Sequence, residues 1–426
     1  MTYYGKETES AMNNFSLNHK KTNINLIYAI AVVKKAAALT YEELNIKPEM
    51  YNCIAEICDR IINGEFDDSF IIEALQGGAG TSTNMNLNEV IATAASEKTG
   101  RLVHPLNDVN RGQSTNDVYP TALRIAAVRL LRNLSDACAK LQESLQTREK
   151  EFDEIKKLGR TELMDAVPIT LGSEFGAYAQ AIARDRWRLY KVEERLRQVN
   201  IGGTAVGRYD NAERKYRFRI IEILRELTGI GLASAEYPMD VTQNNDVFVE
   251  TSGLLKALAV NLMKIANDIR LMASGPRGGI GELTLPEMQK GSSIMPGKVN
   301  PVIPEMVMQC AMRVIANDNA ITMAAAHGEF ELNAFFPLIA DSMLESLNLL
   351  ERAVCIFDEK CISVLIPNKI NCEKLLKRSF AYATSYSTVL GYDTVAEIVK
   401  ASKTPSEAEE KLKILLKNNN RDSACE

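Results

Sequence analysis

Residues Gly291-Ser-Ser-Ile-Met-Pro-Gly-Lys-Val-Asn-Pro301 pack more reactive and anion-binding side chains into one turn-prone segment than any other stretch of the chain. Gly291 and Gly297 can reach backbone conformations closed to other residues, and Asn300 followed by Pro301 has the signature of a helix N-cap and first position. The pattern predicts a mobile loop running into a helix. The free amides and positive dipole end of that helix would face an anion, with Lys298 adding a full charge just upstream, so a carboxylate is the expected guest. Ser292 and Ser293 supply hydroxyls beside that site. A serine is not basic near neutral pH unless its surroundings stabilise the alkoxide, as a nearby lysine and aimed amides would. A phosphate loop is excluded, because that pattern needs glycine at 292 and serine or threonine at 299, where Ser292 and Val299 stand. A plain glycine-rich connection would need neither the lysine, the asparagine nor the paired serines.

Three further segments place small polar groups at loop-to-helix junctions: Gly77-Gly-Ala-Gly-Thr-Ser-Thr-Asn-Met-Asn86, Gly112-Gln-Ser-Thr-Asn-Asp117 and Gly159-Arg-Thr-Glu-Leu-Met-Asp-Ala-Val-Pro168. Taken singly, each reads as an ordinary helix cap.

The elements that must position these residues are helices. Most of the chain carries a 3.6-residue apolar rhythm and strand-like alternation is scarce, so an all-α fold is expected. Long helices are expected at roughly Asp117 to Phe152, Leu171 to Val199, Val241 to Ala273 and Val302 to Ala324, lengths that suit a bundle. A helix of about 25 or more residues buries little against its own small domain, so its apolar stripe is expected to face other subunits. The expected division is an N-terminal helical domain at 1–112, a central long-helix domain at 113–365 and a small C-terminal helical domain at 366–426. The last should break near Gly391 and Pro405 and fray after Lys417.

A net charge of −5, with cations spread among acids, argues against nucleic acid and anionic membrane as partners. The N-terminus has no apolar signal core, and the longest apolar runs, such as Ile27 to Val33, are far too short to span a bilayer; the cytoplasm is the expected compartment. Eight cysteines are scattered with no Cys-x-x-Cys pair, which predicts reduced, mostly buried thiols. Only three histidines occur, His19, His104 and His327, too few and too far apart to suggest a zinc site. No metal and no organic cofactor are expected.

Taken together, the four segments resemble the signature regions of the aspartase and fumarase superfamily, over nearly the whole chain from Tyr3-Tyr4-Gly5 to Cys372. The resemblance implies homotetramers of three-domain, all-α subunits whose central helices join in one large bundle, with each active site drawing on three subunits. The implied reaction is elimination: a base removes a proton beside a carboxylate, then an amine or hydroxyl leaves, typically yielding fumarate. The resulting second negative charge on the carboxylate calls for donors aimed at a dianion. By resemblance Ser292 is the base, Lys298 and Asn300 hold the other carboxylate, Thr81, Ser114 and Thr115 bind the carboxylate on which charge develops, and Asn116 and Thr161 lie near the leaving group.

Gln76-Gly-Gly-Ala-Gly-Thr81 and Gln113-Ser-Thr-Asn-Asp117 look like the aspartase form, where fumarases tend to carry serine in place of Ala79 and of Thr115; L-aspartate is the expected substrate. One position departs from the pattern. After Gly159-Arg160-Thr161 the families usually carry histidine or glutamine, and here stands Glu162. Its counterpart in histidine-bearing relatives pairs with a glutamate matching Glu305, so two carboxylates would share a proton or hold a cation such as the substrate ammonium. The plainer alternative is that Glu162 caps or salt-bridges to Arg160 or Arg111. His104-Pro-Leu-Asn-Asp-Val-Asn110 resembles a second anion site of fumarases, and turn chemistry explains it as well. Two other functions stay open: the same elimination from malate or from an amino acid with a modified amine or side chain, and an inactive relative kept as a structural protein.

Overall fold

The computed structural model describes residues 2–210 and 212–422. Helices carry the fold, and the expected long ones run Thr115–Glu151, Leu171–Leu196, Asp246–Met272 and Val302–Ala326. A further long helix, Phe336–Phe357, follows them. The expected start at Val241 falls in a separate turn, Pro238–Gln243; the Asn245 carbonyl then opens the next helix by accepting from Phe248 N at 3.0 Å.

The chain divides into two compact units. One holds the residues up to Ala137 with Asp185–Val260 and Gln309–Arg352; the other holds Cys138–Arg184, Asn261–Met308 and the residues from Ala353 on. In the first, the Ile24–Glu43 helix packs against Pro48–Ile62 and Arg214–Thr228. Leu26, Ile27, Ile30 and Val33 are buried with Ile54, Ile57 and Ile61 of the second helix and Ile220 and Leu224 of the third. Tyr41 stacks on Tyr216 with ring centroids 4.8 Å apart. Against expectation from the short Ile27 to Val33 run, this 20-residue helix has the length and mean hydropathy, 1.3, to cross a bilayer. Its apolar side chains are instead core, and so is Lys34 at 1% exposure. Cys58 lies beside Lys34 and, like Cys361 and Cys372 of the other unit, is pushed up to about 12 by burial, which suits inert thiols.

In the second unit the structure adds an element that the helical rhythm did not announce. Lys156–Thr161 and Met164–Thr170 form an antiparallel hairpin with a bulge beyond Leu158, where Ala166 and Val167 face the single residue Gly159. A Cβ at Gly159 would stand 2.7 Å from the Val167 carbonyl oxygen, so glycine fits there. The two-residue turn is Glu162-Leu163 with φ of +54° and +65°, the type I′ geometry that normally selects Asn-Gly. The Lys369–Lys377 helix packs on the first strand, and Leu158 is buried with Leu376 and Ala381. Later helices start after Gly391 and at Pro405, as their breakers predict, and the last extends to Asp422, past the point where fraying was expected.

Candidate active site

In the first unit two helix N-termini are tied together. Gly78, Ala79 and Gly80 take successive φ values of +79°, +57° and +92°, turning the chain sharply into the Thr81–Thr99 helix. A Cβ on Gly80 would run into the Tyr119 ring, so only glycine allows this approach. Thr81 Oγ1, exposed at the first turn, donates to the Gly78 carbonyl at 2.7 Å. The Thr115–Glu151 helix starts with a capping box: Ser114 Oγ accepts from Asn116 N at 3.2 Å, and Asp117 Oδ1 accepts from Ser114 N at 2.9 Å. Asn84, one turn into the first helix, donates to Thr115 Oγ1 and to Asn110 Oδ1, each at 3.2 Å. Asn110 Oδ1 also receives Lys34 Nζ at 2.7 Å and Asn88 Nδ2 at 3.2 Å.

Lys34, Asn84, Asn88 and Asp117 are buried in this network. Burial lowers the Lys34 pKa to about 7, with the Asp117 charge pulling the other way, and raises that of Asp117 to about 6. The structure thus gathers Thr81, Ser114, Thr115 and Asn116 about two helix N-termini backed by a buried amine, a donor-rich arrangement suited to a carboxylate. Sequence reasoning missed Asn84 and Lys34. The signal for Lys34 was present, since a lysine following Ile27–Val33 inside an apolar helix must be buried or snorkel. In the neighbouring segment His104 Nδ1 accepts from Leu106 N and Asn107 N at 3.1 and 3.2 Å, which is the turn chemistry of the structural alternative.

In the second unit the 291–301 segment closes on itself. Asn300 Nδ2 donates to the Gly291 carbonyl at 2.8 Å. The Pro301 carbonyl accepts the first helical bond from Glu305 N at 3.1 Å, so the cap falls at Pro301 and Asn300, expected to cap, braces the loop one residue ahead of it. Gly291 is required by contact rather than by φ, because a Cβ there would collide with the Lys298 carbonyl; Gly297 does take φ +76°. Ser292 Oγ accepts from Ile294 N at 3.2 Å and Met295 N at 3.1 Å. Two amides aimed at one hydroxyl oxygen favour its negative form. Lys298 is exposed and makes no ion pair among the described residues.

Thr161 and Glu162 sit at the exposed tip of the hairpin. Glu162 lines an open cleft of about 420 Å³ with Lys157, Arg160, Tyr178, Lys264 and Asp268. Among the described residues it makes no hydrogen bond or ion pair. The arginines of the plainer alternative are engaged elsewhere: Arg160 with Glu282 at 2.9 Å, Arg111 with Glu213 at 4.0 Å. Glu305 lies 3.9 Å from Arg270, and no bond joins it to Glu162. The hairpin is anchored below its tip by a buried cluster in which Glu282, fully buried, meets both Arg160 and Lys157 at 2.9 Å. Lys157 also pairs with Glu174 at 2.7 Å.

Comparison with known proteins gives a consistent picture. A family model described as "Lyase" matches residues 2–316. An aspartate ammonia-lyase of Pseudomonas aeruginosa is 44% identical, the match covering 94% of this chain and 86% of that protein. A class II fumarate hydratase of Pasteurella multocida is 42% identical, covering 94% and 88%. The crystal structure of a fumarate lyase:delta crystallin from Brucella melitensis superposes with a TM-score of 0.92 at 43% identity, covering 99% of this chain and 96% of that one. The motifs, the fold and these relatives agree: the chain belongs to the lyase family of the aspartases and fumarases.

Proposed function

We propose that the chain is an aspartate ammonia-lyase, catalysing the reversible elimination of ammonia from L-aspartate to give fumarate. The observation that carries the reading is the Ser292 hydroxyl, held by two backbone amides in the same loop as the unpaired Lys298. Overall identity does not separate amine from hydroxyl, since an aspartase and a fumarase match almost equally. The choice rests on Ala79, Thr115 and the unpartnered carboxylate of Glu162, whose charge an ammonium complements and a neutral hydroxyl does not.

In the proposed mechanism the Ser292 alkoxide takes the proton from the carbon beside one carboxylate. The electron pair of that C–H bond moves into the carboxylate, giving an aci-carboxylate dianion that Thr81, Ser114 and Thr115 stabilise. The carbon–nitrogen bond then breaks, the pair returns to form the double bond of fumarate, and ammonia leaves on the side of Asn116, Thr161 and Glu162. Lys298 and Asn300 hold the second carboxylate. Glu305 supports Glu162 when the ammonium sits between them. No organic cofactor enters any step.

The assembly that goes with this reading is a homotetramer of three-domain subunits, divided at 1–112, 113–365 and 366–426, with active sites shared between subunits, in the cytoplasm. Exposed apolar side chains at the hairpin tip, Leu163 at 71% and Met164 at 70%, are consistent with contacts to another subunit. The deciding experiment follows fumarate by its ultraviolet absorbance with L-aspartate and L-malate in parallel, using purified tetramer. Fumarate from aspartate alone is expected. Fumarate from malate would favour a fumarase, and silence with both would favour an amino acid with a modified amine.

A further inference from the structure

Asn116 is held in one sense. Its Nδ2 donates to the Ala205 carbonyl at 2.8 Å, and only the NH2 end of an amide can face a carbonyl. Oδ1 is therefore turned away from Ala205, and among the described residues it accepts no hydrogen bond. An oxygen that can only accept favours a ligand group that donates, N–H or O–H alike, and repels a carboxylate.

One carboxylate braces the loop that carries the Ala205 carbonyl. Asp117, fully buried, accepts from Gly202 N at 3.0 Å and Thr204 N at 2.9 Å through Oδ2, while Oδ1 accepts from Ser114 N. One side chain thus ties together the turn that carries Asn116 and the loop that carries Ala205. Asn200 Nδ2 adds a second brace, donating to the Asn116 carbonyl at 2.9 Å. Thr204 is a β-branched residue at φ +59°, a conformation that persists only where its surroundings enforce it.

We propose that Asp117 is a positioning residue that fixes the polarity of Asn116, and that the Asp117–Thr204–Ala205 support keeps an acceptor turned toward the leaving group of the substrate. This rests on the ammonia-lyase reading given above. Replacing the carboxylate by an amide would set an NH2 group against backbone N–H donors, release the 202–205 loop and let the Asn116 amide turn its own NH2 toward the ligand.

The test is Asp117→Asn in the full chain, measuring kcat and KM for L-aspartate beside the inhibition constant of succinate, which has both carboxylates and no amine. The expected result is a fall of about tenfold or more in kcat/KM for aspartate with succinate binding changed by less than about twofold. Equal weakening of both ligands would reduce Asp117 to a purely structural part and overturn the proposal. If Asp117→Asn does not fold, Thr204→Gly keeps the N–H donor while releasing the loop, and should show the same selective loss in smaller measure; an unselective loss, or none, counts against it. Should the unaltered protein release no fumarate from aspartate, the ammonia-lyase reading fails by itself. The positioning role is then read from a crystal structure of Asp117→Asn, where Asn116 leaving the Ala205 carbonyl supports it and an unchanged contact refutes it.

Discussion

The two halves of the proposed chemistry are built in opposite ways. Around Thr81 and Ser114 to Asn116, donors are locked: Asn84 bridges two helix starts, Lys34 is buried behind them, and Asp117 is shut away from water. Around Ser292 and Lys298 the groups lie on an exposed loop, held by a few local bonds, with Ile294 at 84% exposure beside the reacting hydroxyl. A rigid part suits the carboxylate on which charge builds, because donors already in place cost no reorganisation when the charge appears. A loop suits the base, because it can admit substrate and then exclude water from the alkoxide.

That contrast can be broken most sharply at the loop. Ser292→Ala should lower turnover by about three orders of magnitude or more while succinate still binds, since the hydroxyl is asked for chemistry and not for affinity. Undiminished turnover would remove Ser292 as the base. Lys298→Ala should cost roughly a hundredfold in kcat/KM, spread over both a higher KM and a lower kcat, as steady-state kinetics would read. Glu162→Gln tests the amine side from the hairpin: a loss of about tenfold or more in turnover of L-aspartate is expected, whereas near-normal rates would return the side chain to a solvent role.

The rigid half should answer in stability before it answers in rate. Gly80→Ala must seat a Cβ against Tyr119 at φ +92°, and thermal unfolding should show a loss of about 1–3 kcal/mol. The most specific effect concerns Lys34. Its pKa is about 7 in the folded chain and near 10.5 when unfolded, so between those values the unfolded state binds more protons and stability rises with pH. Lys34→Met should remove that rise, seen as a flatter pH dependence of the denaturant midpoint than in the unaltered protein.

The sequence made the helices legible because their apolar stripes run for many turns; Val302 to Ala326 was placed within two residues of its observed end. It did not reveal the 156–170 hairpin. Lys156-Lys157 opens it with two charges, Gly159 and Pro168 interrupt it, and the turn uses Glu162-Leu163 where the favoured signal is Asn-Gly. The loop chemistry of Ser292, Lys298 and Asn300 was legible because those residue types are costly or pointless in a plain connection. Asn84 and Ala205 were not legible: an asparagine in a helix and a backbone carbonyl carry no sequence mark of what they will touch. The cap expected at Asn300 falls one residue later, at Pro301, because a side-chain amide that can cap a helix can equally well bridge a loop, here to Gly291.

The boundaries at Ala137, Arg184, Val260, Met308 and Arg352 all fall inside helices, so neither unit is continuous along the chain. This has a consequence for synthesis. The first unit needs Gln309–Arg352 to be complete, and the second needs the residues beyond it, so an emerging chain can finish neither until most of it has left the ribosome. Until Arg214–Thr228 has emerged, the buried face of Ile24–Glu43 lacks one of its packing partners. Newly made chains should therefore depend on chaperones more than a protein of this length built from sequential domains, and truncation at any unit boundary should leave a helix cut through its middle.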